Sequence, residues 1–330
     1  EMSEGTCGVG FVGTGNIAHM LARAVQATPG AHLVGRFDRV PAKAEAFFRR
    51  YEGRAYGSLD ELLYDPEVAA VEVLTRMEDH VETAITCLEA GKHVFCQKPL
   101  GSNLAEIESL KAAAASADRV LMPVHSQIYG PWMERIKGSI EAGKLGRISS
   151  LWIMFNMARS EEFFIGYTDI LREVCTHHLY TTFYLLGRPK QVRTVMGNVH
   201  FSTLKRPDQV IMVCEMADGA IANLWASMSA NDPTSNPWSL IHKVLGTAGG
   251  IHHTWNDAVF HDPDDPDFGI PHYYEGFRYA FEHFLNRCIA KGEAPLSTID
   301  DALDVERVIA AIERGLERGE DTATPEYGGG

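Results

Sequence analysis

Apolar and polar positions along the first third of the chain follow two alternating periods. Short apolar runs at Cys7–Val12, Ala31–Phe37, Val68–Leu74, His93–Cys96 and Val120–Val124 read as strands. Between them, Asn16–Ala27, Pro41–Tyr51, Ser58–Tyr64, Glu78–Ala90 and Asn103–Ala117 carry helical spacing. The punctuation agrees. Pro41 falls in a first turn, where its missing N–H is not needed. Ser58 followed three residues later by Glu61 spells a capping box, and Gly91 ends the helix before it. Strand–helix alternation of this kind predicts a parallel sheet wound on both faces.

Beyond about Ser126 the rhythm changes. A helix over Pro131–Ala142 leads into β-rich segments near 147–157, 190–201, 208–217, 220–229 and 240–246. One helix, near 169–186, interrupts them, and helices near 273–291 and 299–318 close the chain. Runs of strands with few helices predict an α+β domain on a large, open, mostly antiparallel sheet. A length of 330 residues exceeds what one core usually supports. The expected division is a Rossmann-type α/β domain over 1–126 and an α+β domain over 127–330.

Composition narrows the function classes. Hydrophobic residues make up 45% and charged residues 22%, ordinary values for a globular chain. A net charge of −14 argues against a nucleic-acid surface, which needs Lys and Arg to neutralise phosphates. No apolar run approaches the length of a membrane span. Glu1–Glu4 lacks the basic start and apolar core of a secretory signal. Cysteines 7, 87, 96, 175, 214 and 288 lie in apolar or mixed segments without C-x-x-C spacing, the pattern of reduced, buried thiols in a cytoplasmic protein.

One local pattern carries specific chemistry. Gly13-Thr14-Gly15-Asn16-Ile17-Ala18 fits G-x-G-x-x-G/A and stands between a strand and a helix. Gly13 allows the tight turn, Gly15 lets a pyrophosphate approach the backbone, and Ala18 lets helix and strand pack closely. The helix start then offers free N–H groups to phosphate. An acidic residue is expected about 20 positions on, at the end of the second strand, and Asp38 stands there. Its carboxylate suits the ribose hydroxyls of NAD; Arg39 leaves NADP open.

With these residues in register, the chain resembles the glucose–fructose oxidoreductase / inositol dehydrogenase / MocA family over nearly its whole length. Thr75-Arg76-Met77-Glu78-Asp79-His80 is similar to its T-P-N-x-x-H segment. Leu88–Leu100, ending Gln97-Lys98-Pro99-Leu100, is similar to its A-G-K-H-V-x-x-E-K-P-L signature. Glu173-Val174-Cys175-Thr176-His177 stands where the family has D-x-G-x-H. The resemblance implies NAD(P)-dependent chemistry on sugars, cyclitols and related polyols. It also implies a catalytic lysine from E-K-P, an acid–histidine pair, and subunit contacts through the open sheet. Gln97, Arg76, Met77, Glu173, Cys175, Tyr180 and Ile128 depart from the family pattern and predict a remodelled substrate pocket.

The residues themselves support a constellation. Lys98 follows a parallel strand at its carboxyl end, where ligand crevices form. Pro99 pushes it toward extended backbone. A cation there stabilises alkoxide character on a substrate oxygen. Glu173 and His177, four apart on a predicted helix, share a face. The carboxylate can orient the imidazole, which then acts as general base or acid. Tyr180 extends that face, whereas His178 points away and reads as structural. His125 and Tyr129, at the domain junction, are candidate substrate contacts. Thr75, His80 and Gln97 join Gly13–Ala18, Asp38, Arg39 and Lys98 as candidate cofactor contacts.

No metal is expected. Cys175 does not share a face with Glu173 and His177. His252-His253 and the run His261–Asp267 attract attention as metal ligands, but the latter is Pro-rich and reads as a solvated loop. The expected protein is an enzyme transferring a hydride between NAD(P) and a hydroxyl-bearing carbon of a sugar, sugar derivative or cyclitol, working as a homodimer or homotetramer. Two alternatives make distinct predictions. A transient redox cycle on tightly bound NAD would show no net absorbance change during turnover. A non-catalytic dinucleotide-binding protein would bind cofactor without turning over any polyol.

Overall fold

A computed structural model describes residues 6–230, 238–254 and 271–328. The first sheet is parallel throughout. Its strands are β1 (Cys7–Val12), β2 (Ala31–Phe37), β3 (Arg54–Ala55), β4 (Ala70–Val73), β5 (His93–Cys96) and β6 (Leu121–Pro123), in the order β3-β2-β1-β4-β5-β6. Helices α1 (Asn16–Ala27), α2 (Pro41–Phe48), α3 (Leu59–Tyr64), α4 (Met77–Glu89) and α5 (Leu104–Ala117) connect them. The chain runs from β1 to one edge, then returns to lay β4 on the other side of β1. Its topological switch point therefore falls between β1 and β4, and ligands of such sheets bind at the carboxyl ends there.

Local chemistry explains the boundaries. Ser58 caps α3 by accepting from the Glu61 N–H (3.1 Å), while Glu61 accepts from the Gly57 N–H (2.7 Å). Asn103 caps α5 in the same way, accepting from the Glu106 N–H. Lys92 donates to the carbonyls of Asp65 and Val68 (3.2 and 2.6 Å), tying the start of β5 to the loop before β4. β4 and β5 are buried along nearly their whole length, as strands covered on both faces must be.

Among the described residues the second sheet has seven strands. They are β7 (Ile148–Met157), β8 (Gln191–Gly197), β9 (Gln209–Glu215), β10 (Ile221–Ser227), β11 (Trp238–Gly246), β12 (Gly250–Thr254) and β13 (Thr322–Ala323), in the order β12-β11-β7-β10-β9-β8-β13. Only β7 and β10 pair in parallel; the other neighbours are antiparallel. Alternation along β7 buries Leu151, Ile153 and Phe155 and exposes Trp152 and Met154, the pattern of a sheet covered on one face. α6 (Pro131–Glu141) and α7 (Thr176–Leu186) accompany this sheet, and a π-helical turn over Leu171–Cys175 feeds α7. α8 (Pro271–His283), a second π turn over Phe284–Ile289 and α9 (Ile299–Glu317) complete the chain.

By its contacts the described chain forms two compact units. One holds residues up to 130 together with 271–303; the other holds the rest. The expected boundary at 126/127 gives the whole later chain to one domain, so α8 is the departure. Its Phe277 and Phe281, with Phe284 beyond, enter one apolar cluster with Phe11 and Phe95. Phe95 meets Phe281 edge-on at 5.8 Å and lies 5.2 Å from Phe284. A parallel sheet needs cover on both faces, and among the described residues α8 is the first α-helix of this unit after β6. This face also buries two charged side chains, Arg36 and Glu72, on either side of Phe11.

Candidate functional site

The turn between β1 and α1 meets the demands of a phosphate cradle. Gly13 has φ +98°, and a Cβ there would lie 2.6 Å from the Leu74 carbonyl oxygen. Strand β4 therefore passes too close for any side chain at that position. Gly15 is the contrasting case: a Cβ would meet no protein atom within 4 Å. Gly15 begins α1 without a side-chain cap, so the N–H groups of the first turn, around Asn16 and Ile17, are left for a ligand. Ala18 is fully buried against the sheet.

Asp38 closes β2 and is held from both sides. Its Oδ2 accepts from Thr14 N (2.8 Å) and Thr14 Oγ1 (2.7 Å), and its Oδ1 from Val40 N (2.8 Å). Burial works against its charge, but these hydrogen bonds and nearby Lys43 outweigh burial and hold the carboxyl below the ordinary aspartate range. One lone-pair direction on Oδ1 remains for a ligand hydroxyl. Arg39 is exposed and forms an ion pair with Asp79 in the first turn of α4.

The carboxyl ends of β4 and β5 bring together Thr75, His80, Gln97 and Lys98. His80 is buried, with Nδ1 2.7 Å from the Pro99 carbonyl oxygen and Nε2 3.0 Å from that of Thr75. It braces the two strand ends against each other. Gln97 extends the β5 pairing by donating its N–H to the Val73 carbonyl. Thr75 Oγ1 and Gln97 Nε2 are buried and meet no hydrogen-bond partner among the described residues. Such orphans are costly unless something satisfies them. Together with the bare Gly15 cradle, they fit a bound dinucleotide. Lys98 follows, half-buried.

Two expected substrate contacts lie deeper than the sequence predicts. His125 is 1% exposed, and its Nδ1 meets Ser297 Oγ. Burial pulls its pKa down to about 3; the Asp301 carboxylate opposes it, and the positive charge of Lys98 adds a smaller downward pull. It is a neutral imidazole that senses both charges. The Tyr129 hydroxyl accepts from Ser297 N (3.3 Å). Both side chains are thus tied to the segment entering α9. That segment, with Ser297 and Asp301, was not singled out from sequence, because its partners lie as much as 172 positions away.

In the second unit Glu173 sits in the π turn and His177 and Tyr180 in α7. Glu173 Oε1 accepts from Thr168 N and Oγ1 (3.2 Å each). His177 Nδ1 lies 2.5 Å from the Tyr180 hydroxyl. Burial lowers the pKa of His178 to about 4, and its Nε2 meets the Trp225 carbonyl, the structural place its angle on the helix predicts. Arg172, beside Glu173, is gripped by carboxylates of α9, a feature with no local sequence signal.

Among the described residues, no group of three or more His, Cys, Asp or Glu is placed to hold a metal ion. His253 stacks on Trp132, 5.1 Å and 6° apart, and so belongs to an aromatic pile. The run His261–Asp267 lies outside the described residues. No described helix is long and apolar enough to cross a membrane.

Comparison with known proteins extends this picture. Residues 7–125 match a family model described as an oxidoreductase family with an NAD-binding Rossmann fold. Residues 133–252 match the GFO/IDH/MocA C-terminal domain. A trans-1,2-dihydrobenzene-1,2-diol dehydrogenase of Xenopus laevis is 25% identical over 94% of this chain and 97% of its own length. A myo-inositol 2-dehydrogenase of Thermotoga maritima is 31% identical over 42% of each chain. Among solved structures, a myo-inositol dehydrogenase from Corynebacterium glutamicum superposes with a TM-score of 0.84 at 19% identity, covering 98% of this chain and all of that one. At that identity the likeness speaks for the fold.

Proposed function

We propose, from the premise that the chain belongs to the GFO/IDH/MocA oxidoreductase family and is an NAD(P)-dependent oxidoreductase, that it moves a hydride to or from a hydroxyl-bearing carbon of a sugar, sugar derivative or cyclitol. The observation that carries this reading is the lining of the crevice beside Lys98. Thr75 Oγ1 and Gln97 Nε2 are orphaned there, next to a cradle that only a ligand fills. The named activities of the Xenopus and Thermotoga relatives, on a vicinal diol and a cyclitol, support the substrate class.

When bound, the nicotinamide ring supplies the hydride acceptor or donor. Gly13–Ala18 hold the phosphates at the start of α1. Asp38, kept ionised by Thr14, takes a ribose hydroxyl and repels a 2′-phosphate, so NAD is the preferred dinucleotide. Arg39 has a carboxylate partner in Asp79 and offers the 2′-phosphate less than a free guanidinium would. Lys98 holds the reacting oxygen and stabilises negative charge as it develops there. His177 takes the hydroxyl proton during oxidation and returns it during reduction, with Tyr180 fixing its ring through Nδ1 and Glu173 in the role of orienting it.

The protein works as a homo-oligomer, through the outer face of the second sheet, where Trp152, Met154, Ile211 and Ile221 are exposed. It works in a reducing, cytoplasmic compartment, since its cysteines are free and buried.

The test begins with a titration by NADH and, separately, NADPH, following energy transfer from tryptophan. The dinucleotide that binds is then used with a panel of cyclitols and aldoses, monitored at the nicotinamide absorbance. Tight NADH binding and a Lys98-dependent absorbance change on one polyol class support the assignment. Binding without turnover across the panel would leave a dinucleotide-binding protein without this chemistry.

A further inference from the structure

The π turn over Leu171–Cys175 is fastened from outside its own segment. Arg172 Nη2 donates to Glu306 Oε1 (2.7 Å) and Glu313 Oε2 (3.0 Å). Nη1 donates to Glu313 Oε1 and, at 3.4 Å, to Asp169 Oδ2. The main chain of Arg172 is held as well: its N–H donates to Asp169 Oδ1 (2.8 Å) and its carbonyl accepts from Thr176 Oγ1 (2.8 Å). The guanidinium side chain is only 12% exposed and that of Glu306 only 6%. An α-helix does not widen into a π turn without cost, and such turns recur at functional positions. Here the widened turn carries Glu173 and opens directly into the helical turn bearing His177.

We propose that Glu306 is a positioning residue for His177, acting through Arg172 on the π turn that precedes it. The proposal rests on the assignment of His177 as the proton carrier. The charges also make the grip responsive to pH. Three carboxylates, from Asp169, Glu306 and Glu313, share one guanidinium. The remaining charges close by on α9, Asp304 and Arg307, pair with each other, and Asp304 also pairs with Arg188. The cluster therefore carries an excess of negative charge, and its most buried carboxyl is the place for a proton. Burial is the main cause that pushes Glu306 up to about 7; Glu313 and Asp169 add to it, and Arg172 opposes it.

The direction follows by linkage. A carboxyl whose pKa is higher in the closed turn than in an opened one favours the closed turn at low pH. That preference is lost as pH rises through the closed-state value. The grip is tightest with Glu306 protonated, still accepting from Arg172 through its carbonyl oxygen. It loosens as pH rises toward neutrality and changes little above it.

The experiment is hydrogen exchange of peptides covering residues 168–178 at pH 6 and pH 8, with protection corrected for intrinsic rates. Wild type is compared with Glu306→Gln and Glu313→Gln. In parallel, the His177 imidazole resonance is followed in both variants and assigned by its loss in His177→Asn. Opening of the wild-type turn is expected to rise about tenfold from pH 6 to pH 8. Glu306→Gln, which mimics the protonated form, should hold the turn at its acid-state protection at both values and shift the His177 titration. Glu313→Gln should weaken the grip but keep a pH dependence. Equal protection at pH 6 and pH 8 in wild type overturns the proposal, as does a pH dependence that survives Glu306→Gln. Should that variant not fold, wild type and Glu313→Gln decide by the same measure. Full turnover of a polyol by His177→Asn would instead remove the role of His177 while leaving the exchange result intact.

Discussion

The Gly13–Ala18 turn and the Leu171–Cys175 turn both precede a helix that has a part in the proposed reaction, and they are held in opposite ways. The first is made from its neighbourhood. Two glycines, Thr14 and an aspartate 24 positions away fix it, and its main polar contacts are backbone groups. The second is fixed by Glu306 and Glu313, 134 and 141 positions away, through a single guanidinium. A backbone cradle tolerates change in most side chains and fails on a methyl group. A side-chain clamp is indifferent to methyl groups and fails when one charge is removed or one proton moves.

Four substitutions sharpen this contrast. His177→Asn should give the largest effect. Turnover should fall by roughly 10²–10⁴, while NADH affinity, set in the other unit, stays within about twofold; a parallel loss of affinity would remove the separation. Arg172→Met comes next. It leaves Glu306 and Glu313 without their cation and should cost about 3 kcal/mol in urea unfolding at pH 8. The cost should shrink at pH 6, where Glu306 takes up a proton.

Glu72→Leu tests a buried charge that has no clamp. The Glu72 carboxyl is fully buried and neither oxygen has a hydrogen-bond partner among the described residues. Burial raises its pKa well above the usual range. A raised folded-state pKa means stability that is present at low pH and lost as pH rises. The leucine variant should therefore be more stable than wild type by about 1–3 kcal/mol at pH 8, with a smaller gain at pH 5. A gain that is flat with pH would assign the effect to packing. The smallest expected change is Gly15→Ala. Its Cβ meets no protein atom, so melting should be unchanged. Dinucleotide affinity should drop about tenfold, close to 1.4 kcal/mol.

The same contrast separates what the sequence discloses from what it conceals. The Rossmann sheet was legible because its signals are local: apolar runs, a Gly-rich turn at a strand end, Ser58 with Glu61, and Asp38 at the spacing a ribose needs. The second sheet was legible as a class of fold. Its edge strand β13, of two residues, is too short to show a period. The brace that His80 forms between two carbonyls was not readable, because a buried imidazole and a surface one look alike in a helix pattern. Nor was the union of His125 and Tyr129 with Ser297, since nothing in either segment points to the other. Arg172 reads as one more charged helix residue until α9 is laid beside it.

The placement of Phe277, Phe281 and Phe284 in the first unit has a consequence for how the protein is made. A ribosome delivers β1 through β6 early, yet the aromatic layer that seals this sheet around Phe11 and Phe95 arrives only after β7 through β12 of the second sheet have been translated. The nascent N-terminal half must wait with an apolar face open to solvent and to chaperones. Premature termination anywhere before α8 would leave an unsealed sheet rather than a free-standing nucleotide-binding module.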